Sequence, residues 1–224
     1  FQALMFRAPR QNAAFTGGAP TRRPHIWKGW LCMELIRLTG TEDERYERAM
    51  RLYCASFPPH EQRSAAAQAM ALRDEDYHFG LVYDGGAFAG LLLYWEAPAQ
   101  KGGPACTAEQ GFVYVEHFCI LPELRGMGCG RRALELLQGM GKRIVLEIDP
   151  PEDAIAVRRK GFYERCGYVA NAFAHVHPPY QAANLGHELI VMSYPHAISQ
   201  SEFDSFTLNL GEKVMKYSEG KRNA

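Results

Sequence analysis

The sequence predicts a mixed α/β domain, and three observations carry that prediction. Strand-like and helix-like segments follow one another from residue 33 onward in the order β-α-α-β-β-β-α-β-α-β. Asp84-Gly85-Gly86 joins two consecutive strand-like runs, a hairpin signal that calls for an antiparallel meander in the first half. Glycines at 126, 128 and 130 separate a strand-like run from an amphipathic helix, which calls for crossover connections in the second half. A central twisted mixed sheet of about six to seven strands flanked by helices satisfies all three.

Composition agrees. The chain has 224 residues, 47% of them hydrophobic and 22% charged, which is the profile of an ordinary globular protein with a real core. Twenty-five basic and 25 acidic side chains cancel, which removes the simplest electrostatic case for a nucleic-acid partner. No apolar run approaches the roughly 20 residues of a membrane-spanning helix. Cys32, Cys54, Cys106, Cys119, Cys129 and Cys166 are scattered, with no C-x-x-C pair. In a chain of this length without a secretory leader, reduced thiols and a cytoplasmic location are expected in preference to three disulfides.

The zero charge is a cancellation. Residues 1–32 hold Arg7, Arg10, Arg22, Arg23 and Lys28 and no acid, so the remainder carries a net −5. Residues 1–32 read as a disordered basic extension. It is either an organellar transit peptide or an upstream leader with Met33 as the natural start, the second being preferred. Residues 33–196 form the predicted domain, and 197–224 a C-terminal helix and polar tail.

Met33–Leu38 opens the domain as a strand. A helix is expected over 42–56, with Thr41 as N-cap and Glu44 three residues on. Pro58-Pro59 ends it, and an Ala-rich helix is expected from about Glu61 to Arg73. Tyr77–Tyr83 and Phe88–Trp95 form the hairpin, and a Gly/Pro loop at 97–105 leads to the β-forming run Phe112–Leu121. The helix after the glycines presents Ala133, Leu134, Leu136 and Leu137, and Arg143–Ile148 is a buried-type strand. Residues 152–165 read as helix, Gly167–Val169 as a return to strand, and Leu189–Tyr194 as the last strand. Ser199-Gln200-Ser201-Glu202 is a capping box opening a helix whose apolar face holds Phe203, Phe206 and Leu210. That helix packs either on its own domain or on a partner.

The chemistry concentrates in the strand–glycine–helix junction. Glycines there admit a close backbone approach, and the first helical turn leaves N–H groups unpaired and dipole-positive, an anion site suited to a phosphate or pyrophosphate. No Lys-Ser or Lys-Thr follows the glycines, and their interval does not fit G-x-G-x-x-G, so neither common nucleotide loop applies. Arg125-Gly126-Met127-Gly128-Cys129-Gly130 resembles the [R/Q]-x-x-G-x-[G/A] hallmark of the GCN5-related N-acetyltransferase (GNAT) superfamily. Phe162-Tyr163-Glu164-Arg165-Cys166-Gly167-Tyr168 resembles its second hallmark, in the right order and with a strand between. The resemblance spans Met33 to about Tyr194. Ser56–Arg63 and the stretch from His177 to Pro195 are similar to a subgroup of small bacterial members with unassigned substrates.

The resemblance implies acetyl-CoA as co-substrate, and no metal is expected. An amine acceptor, small-molecule or peptide, would attack the thioester directly. It implies that the backbone of Phe118, Cys119 and Ile120 pairs with the pantetheine arm and that the loop Arg125, Gly126, Met127, Gly128, Cys129, Gly130 and Arg131 holds the pyrophosphate. It gives Tyr163 the role of proton donor to the leaving thiolate and makes Glu116 the candidate base, directly or through water. A phenol of pKa ~10 can protonate a thiolate whose acid is near ~8.5, and an alkylammonium near ~10 must lose a proton before attack. Strand alternation puts Glu116 and Phe118 on one face and His117 on the other, and a bulge would make His117 the base instead. His60, Glu61, Arg63 and Tyr180 are candidate acceptor contacts. Two positions depart from the family pattern, Ala156 where Asn is frequent and Arg159 where a small residue is frequent. The basic run Arg158, Arg159, Lys160, Arg165 meets the cofactor's 3′-phosphate or is a solvated face. Cys119 and Cys129 read as buried inert thiols rather than acyl carriers. His175 and His177 share a strand face without a third ligand at metal spacing. A non-catalytic acyl-CoA sensor on the same fold is the alternative reading, and the chain is expected to be a monomer or homodimer without nucleic-acid or membrane partners.

Overall fold

The computed structural model describes residues 33–97 and 111–219. The basic extension 1–32, most of the Gly/Pro loop and the last five residues lie outside the described residues, as do Cys32 and Cys106. Five helices and nine strands occur among the described residues. Strand β1 is Met33–Leu38, α1 Tyr46–Ser56, α2 Ala65–Ala71, β2 Tyr77–Asp84, β3 Ala87–Ala97 and β4 Phe112–Ile120. Helix α3 is Cys129–Gln138, β5 Arg143–Ile148, α4 Ala154–Arg165, β6 Val169–Ala170 and β7 Val176–His177. Strand β8 is His187–Glu188, β9 Ile190–Tyr194 and α5 Gln200–Asn209.

Seven strands form one mixed sheet in the order β1-β2-β3-β4-β5-β9-β6, and β7 and β8 form a separate two-stranded ribbon. Only β4 and β5 run parallel, because α3 carries the chain back between them. The hairpin forms as its sequence dictates, with Gly85 and Gly86 at φ 58° and 79°.

Side-chain alternation sorts the core into two layers. Leu91, Leu93 and Trp95 of β3 and Val145 of β5 face α1, α2 and the C-terminal segment. Leu92 and Tyr94 of β3 and Ile144, Leu146 and Ile148 of β5 face α3 and α4. The C-terminal segment belongs to the first layer: Phe206, Leu210, Val214, Met215 and Tyr217 are all buried in it. Its capping box forms as the sequence predicts, Ser199 and Glu202 capping each other's backbone.

Three local expectations are corrected. Thr41 does not cap α1. The Asp43 carboxylate accepts the Arg45 N–H at 2.9 Å and the Asp43 carbonyl accepts the Tyr46 N–H at 2.9 Å, so a tight turn precedes the helix. The expected helix from Glu61 splits into a 3₁₀ turn, Pro59–Glu61, and α2, which starts only where Ser64 caps the Ala67 N–H. The third correction lies in β4. Val115 and Phe118 pack in the same layer although they are three positions apart. Pairing with β3 skips from Val115↔Tyr94 to His117↔Leu93. Glu116 is the extra residue of a β-bulge, so Glu116 and His117 both turn toward the first layer and Phe118 turns away from them.

Candidate active site

The glycine junction folds as its chemistry requires. A 3₁₀ turn, Pro122–Leu124, leaves β4, and Gly126 and Gly128 then adopt φ 78° and 82°, where a side chain is strained. Gly128 is the N-cap of α3 and no side chain caps that end. The first i→i−4 bond runs from the Arg132 N–H to the Gly128 carbonyl at 3.1 Å, so the amides of Gly128, Cys129, Gly130 and Arg131 have no intrahelical partner. Gly128, Gly130 and Arg131 line a cavity of about 280 Å³ together with Ile120, Arg125 and Gly126, and with Phe162, Arg165 and Cys166 from the end of α4. Arg125 braces the loop through its Nε–H to the Ile120 carbonyl at 3.0 Å. Met127 is 66% exposed, and the Arg131 side chain turns to Glu135. The Cys129 thiol is buried and points to Asp84, 3.6 Å away, so only its backbone serves the loop. Arg132, which the motif does not single out, forks onto Asp84 at 2.8 and 2.5 Å and ties α3 to the β2–β3 hairpin.

Next to this loop the sheet opens. Strands β4 and β5 pair from Phe112↔Arg143 to Val115↔Leu146 and then part, although β4 runs on to Ile120 and β5 to Ile148. Among the described residues no strand covers the β5-facing edge of β4 from Glu116 to Ile120. Phe118, Cys119 and Ile120 therefore stand where an extended ligand would add as a strand. Cys119 itself is buried, and burial pushes its thiol up to about 11, which leaves it a poor nucleophile.

Helix α4 crosses the opening with a buried stripe of Ala156, Arg159 and Tyr163. Its N-terminal end meets a second cavity of about 420 Å³, lined by Glu61, Asp149, Glu152, Asp153 and His187 together with Ala156 and Arg159. Its C-terminal end meets the loop cavity. Tyr163 follows Phe162 in the last turns of this helix, about 10 Å along the axis from Ala156. Its side chain is fully buried, and its hydroxyl has no hydrogen-bond partner among the described residues. An unsatisfied buried hydroxyl costs about 1–3 kcal/mol. Burial raises the phenol well above its ordinary value, with Arg159 opposing, and keeps it protonated.

A family model described as the acetyltransferase (GNAT) family matches residues 44–168. The chain belongs to the GNAT acetyltransferase family. A solved GNAT-family protein from Bacteroides thetaiotaomicron is 26% identical, with a TM-score of 0.71 over 83% of this chain and 98% of that one. Arabidopsis thaliana Naa50, solved with the bisubstrate analogue CoA-Ac-MVNAL, is 17% identical, with a TM-score of 0.50 over 72% of this chain and 97% of that one, and shares the fold. No curated protein sequence matches this chain.

Within this GNAT framework Glu116 is not the base that its place in the strand suggests. Its carboxylate is buried and each oxygen holds two donors. Oε1 accepts from Tyr180 Oη at 2.6 Å and lies 2.5 Å from Arg63 Nη2, while Oε2 accepts from Arg63 Nη1 at 2.7 Å and Trp95 Nε1 at 3.0 Å. Burial alone would raise this carboxyl, but the Arg63 guanidinium outweighs it and holds the group below the usual carboxylate range. A carboxylate with no free lone pair and a depressed pKa cannot collect a proton near neutrality. The same geometry removes Arg63 and Tyr180 from the acceptor contacts. Both are buried in the network, and Arg63 also donates to the Val214 carbonyl at 3.2 Å. His117, the alternative base, is buried too, with Nε2–H on the Glu61 carbonyl at 3.0 Å, and it holds the Pro59–Glu61 turn in place.

A second buried network sits on β5 and has no signal in the motifs. Glu147 accepts from Tyr114 Oη and pairs with His175, and His177 Nε2 lies 3.9 Å away. Burial pushes His177 down to about 4, with Glu147 opposing, and its Nδ1–H is fixed on the Pro178 carbonyl at 2.6 Å. Its folded pKa lies below the ordinary ~6.5, so the unfolded chain binds the extra proton between those values. Stability is then full above about pH 6.5 and falls toward pH 4, by on the order of 3 kcal/mol from this group. Thermal melts across pH 4–7 should show that slope, and His177→Asn should flatten it.

The acidic cavity gathers residues distant in sequence. Asp153 caps α4, accepting from Ile155 and Ala156 N–H at 2.6 and 2.8 Å. Arg159 turns inward to pair with Asp149, Lys160 pairs with Glu164, and Arg165 lines the loop cavity, so the basic run is not one solvated face. His187 Nε2 lies 3.4 Å from Asp149 Oδ1. Of the four expected acceptor contacts, Glu61 lines this cavity and His60 lies beside it. Asp149, Arg159 and His187 complete it. The pattern around His187 is visible in the sequence, but its partners are not, because they come from β5 and α4.

Proposed function

We propose that this chain moves an acetyl group from acetyl-CoA to a primary amine of a cationic small molecule or peptide, with Tyr163 as the proton donor. The amine nitrogen bonds to the thioester carbonyl carbon, the C–S bond breaks with its electron pair on sulfur, and the Tyr163 hydroxyl proton passes to that sulfur. The amine's surplus proton goes to His187, which Asp149 orients, and the Tyr163 phenolate regains its proton from solvent. The observation that carries this reading is the enclosed, unpartnered Tyr163 hydroxyl, whose ring packs against Phe162 of the loop cavity. A thiolate forming in the same dry site is also desolvated and hence more basic, which offsets the raised pKa of the phenol.

The free amides of the loop and the uncovered β4 edge support the cofactor's placement. Among the described residues, and apart from the chain neighbours, no heavy atom lies within 4 Å of where a Cβ would stand at Gly126 or Gly128, which leaves room for a pyrophosphate. Gly128→Ala, forced to φ 82°, should cost about 1–2 kcal/mol of strain and weaken acetyl-CoA binding roughly tenfold in calorimetry. The carboxylates of Glu61, Asp149, Glu152 and Asp153 support a cationic acceptor. His187→Ala should lower kcat by about 10²-fold. An unchanged rate would assign the proton elsewhere. The reading is tested by free-thiol release with polyamines, cationic peptides, neutral amines and amino acids as acceptors. Polyamines and cationic peptides should show the highest kcat/KM, and binding of acetyl-CoA without turnover on any of them would favour a sensor.

A further inference from the structure

We infer that His60, Glu61 and His187 form a site for one transition-metal dication of the zinc class at the mouth of the acidic cavity. One ligand atom from each lies within 4.8 Å of the others, a trio not seen elsewhere among the described residues. His60 Nε2 is 3.7 Å from Glu61 Oε1, and the two imidazole rings are 6.3 Å apart. Donors about 2.0–2.2 Å from a tetrahedral zinc ion are about 3.4 Å from one another, so small side-chain rotations close the site. The side chains of His60 and His187 are 53% and 36% exposed.

The donors are held in the way metal ligands are held. The Glu61 turn is pinned by the His117 Nε2–H on its carbonyl at 3.0 Å. His187 sits on β8, paired with His177 of β7, and Asp149 stands 3.4 Å from its ring as an outer carboxylate. Two imidazoles and one carboxylate select zinc, cobalt or nickel over magnesium or calcium, which prefer all-oxygen sites. Exposure of His60 leaves a coordination position open to water. Glu61 and His187 line the cavity, so a bound ion and a cationic amine exclude each other there. The ion was not foreseen from spacing, because residues 60, 61 and 187 come together only through folding.

Titration of the full chain with Co²⁺ tests this without acetyl-CoA or acceptor, so its outcome is separate from that of the proposed reaction. Visible absorption should saturate at one equivalent and be displaced by Zn²⁺. His60→Ala and His187→Ala should each weaken binding more than tenfold, while Cys54→Ser, which removes an exposed thiol, should leave it unchanged. In the wild-type protein, Zn²⁺ should also shield His60 and His187 from carbethoxylation by diethyl pyrocarbonate, read by peptide mass, which needs no variant to fold. Absence of Co²⁺ binding at micromolar protein, binding that survives the double histidine substitution, or unshielded histidines at saturating Zn²⁺ would each overturn the site.

Discussion

Replacing Tyr163 by phenylalanine is expected to lower kcat by about 10²–10⁴-fold while leaving acetyl-CoA affinity nearly unchanged and the fold as stable as before or more so. The combination follows from one observation. The hydroxyl is enclosed in the α3–α4 layer, yet nothing among the described residues accepts its proton. Its removal relieves an unsatisfied group and keeps the ring packed against Phe162 and Tyr168. A core tyrosine with a structural hydroxyl would behave in the opposite way, losing stability and keeping rate. Melting temperature and single-turnover kinetics on the same preparation separate the two.

Arg63→Ala should be the most destabilising single change in the molecule, about 3–5 kcal/mol, or roughly 6–20 °C in melting temperature. It strands the Glu116 carboxylate in a site from which water is excluded, with only Trp95 and Tyr180 as donors. It also frees the Val214 carbonyl and so loosens the C-terminal segment from α2. The Glu116 carboxyl is depressed in the fold, so its contribution is present above the ordinary carboxylate range and is lost as pH falls through the folded value. Arg63→Ala should therefore lose most at neutral pH and converge on the wild type in acid. Glu116→Gln should likewise lower the melting temperature yet leave measurable turnover at low temperature. Abolished turnover in a protein of unchanged stability would restore Glu116 as the base.

The parts of this molecule that can be read from sequence are those whose cause is local. Gly126 and Gly128, at φ 78° and 82°, stand before a helix that no side chain caps, and the hairpin and capping box are fixed by adjacent residues. What escapes the sequence is set across the fold. Tyr-Val-Glu-His-Phe carries no mark of an inserted residue, because a bulge conserves composition and breaks only the pairing with β3. Alternation consequently assigns Glu116 to the face of Phe118, whereas it belongs with Trp95 and Arg63. Arg63 and Tyr180 look like polar loop residues open to an acceptor, and only the C-terminal segment packing over them shows that they are interior. His187 and Asp149 lie 38 positions apart and meet because β8 returns beside the end of β5.

The most direct measurement is the release of free thiol from acetyl-CoA by the wild-type protein in the presence of a polyamine. Amine-dependent release, with the acetyl group found on a polyamine nitrogen by mass spectrometry, is the result expected. Failure of the protein to bind acetyl-CoA, or thiol release that is the same with and without any amine, would contradict it.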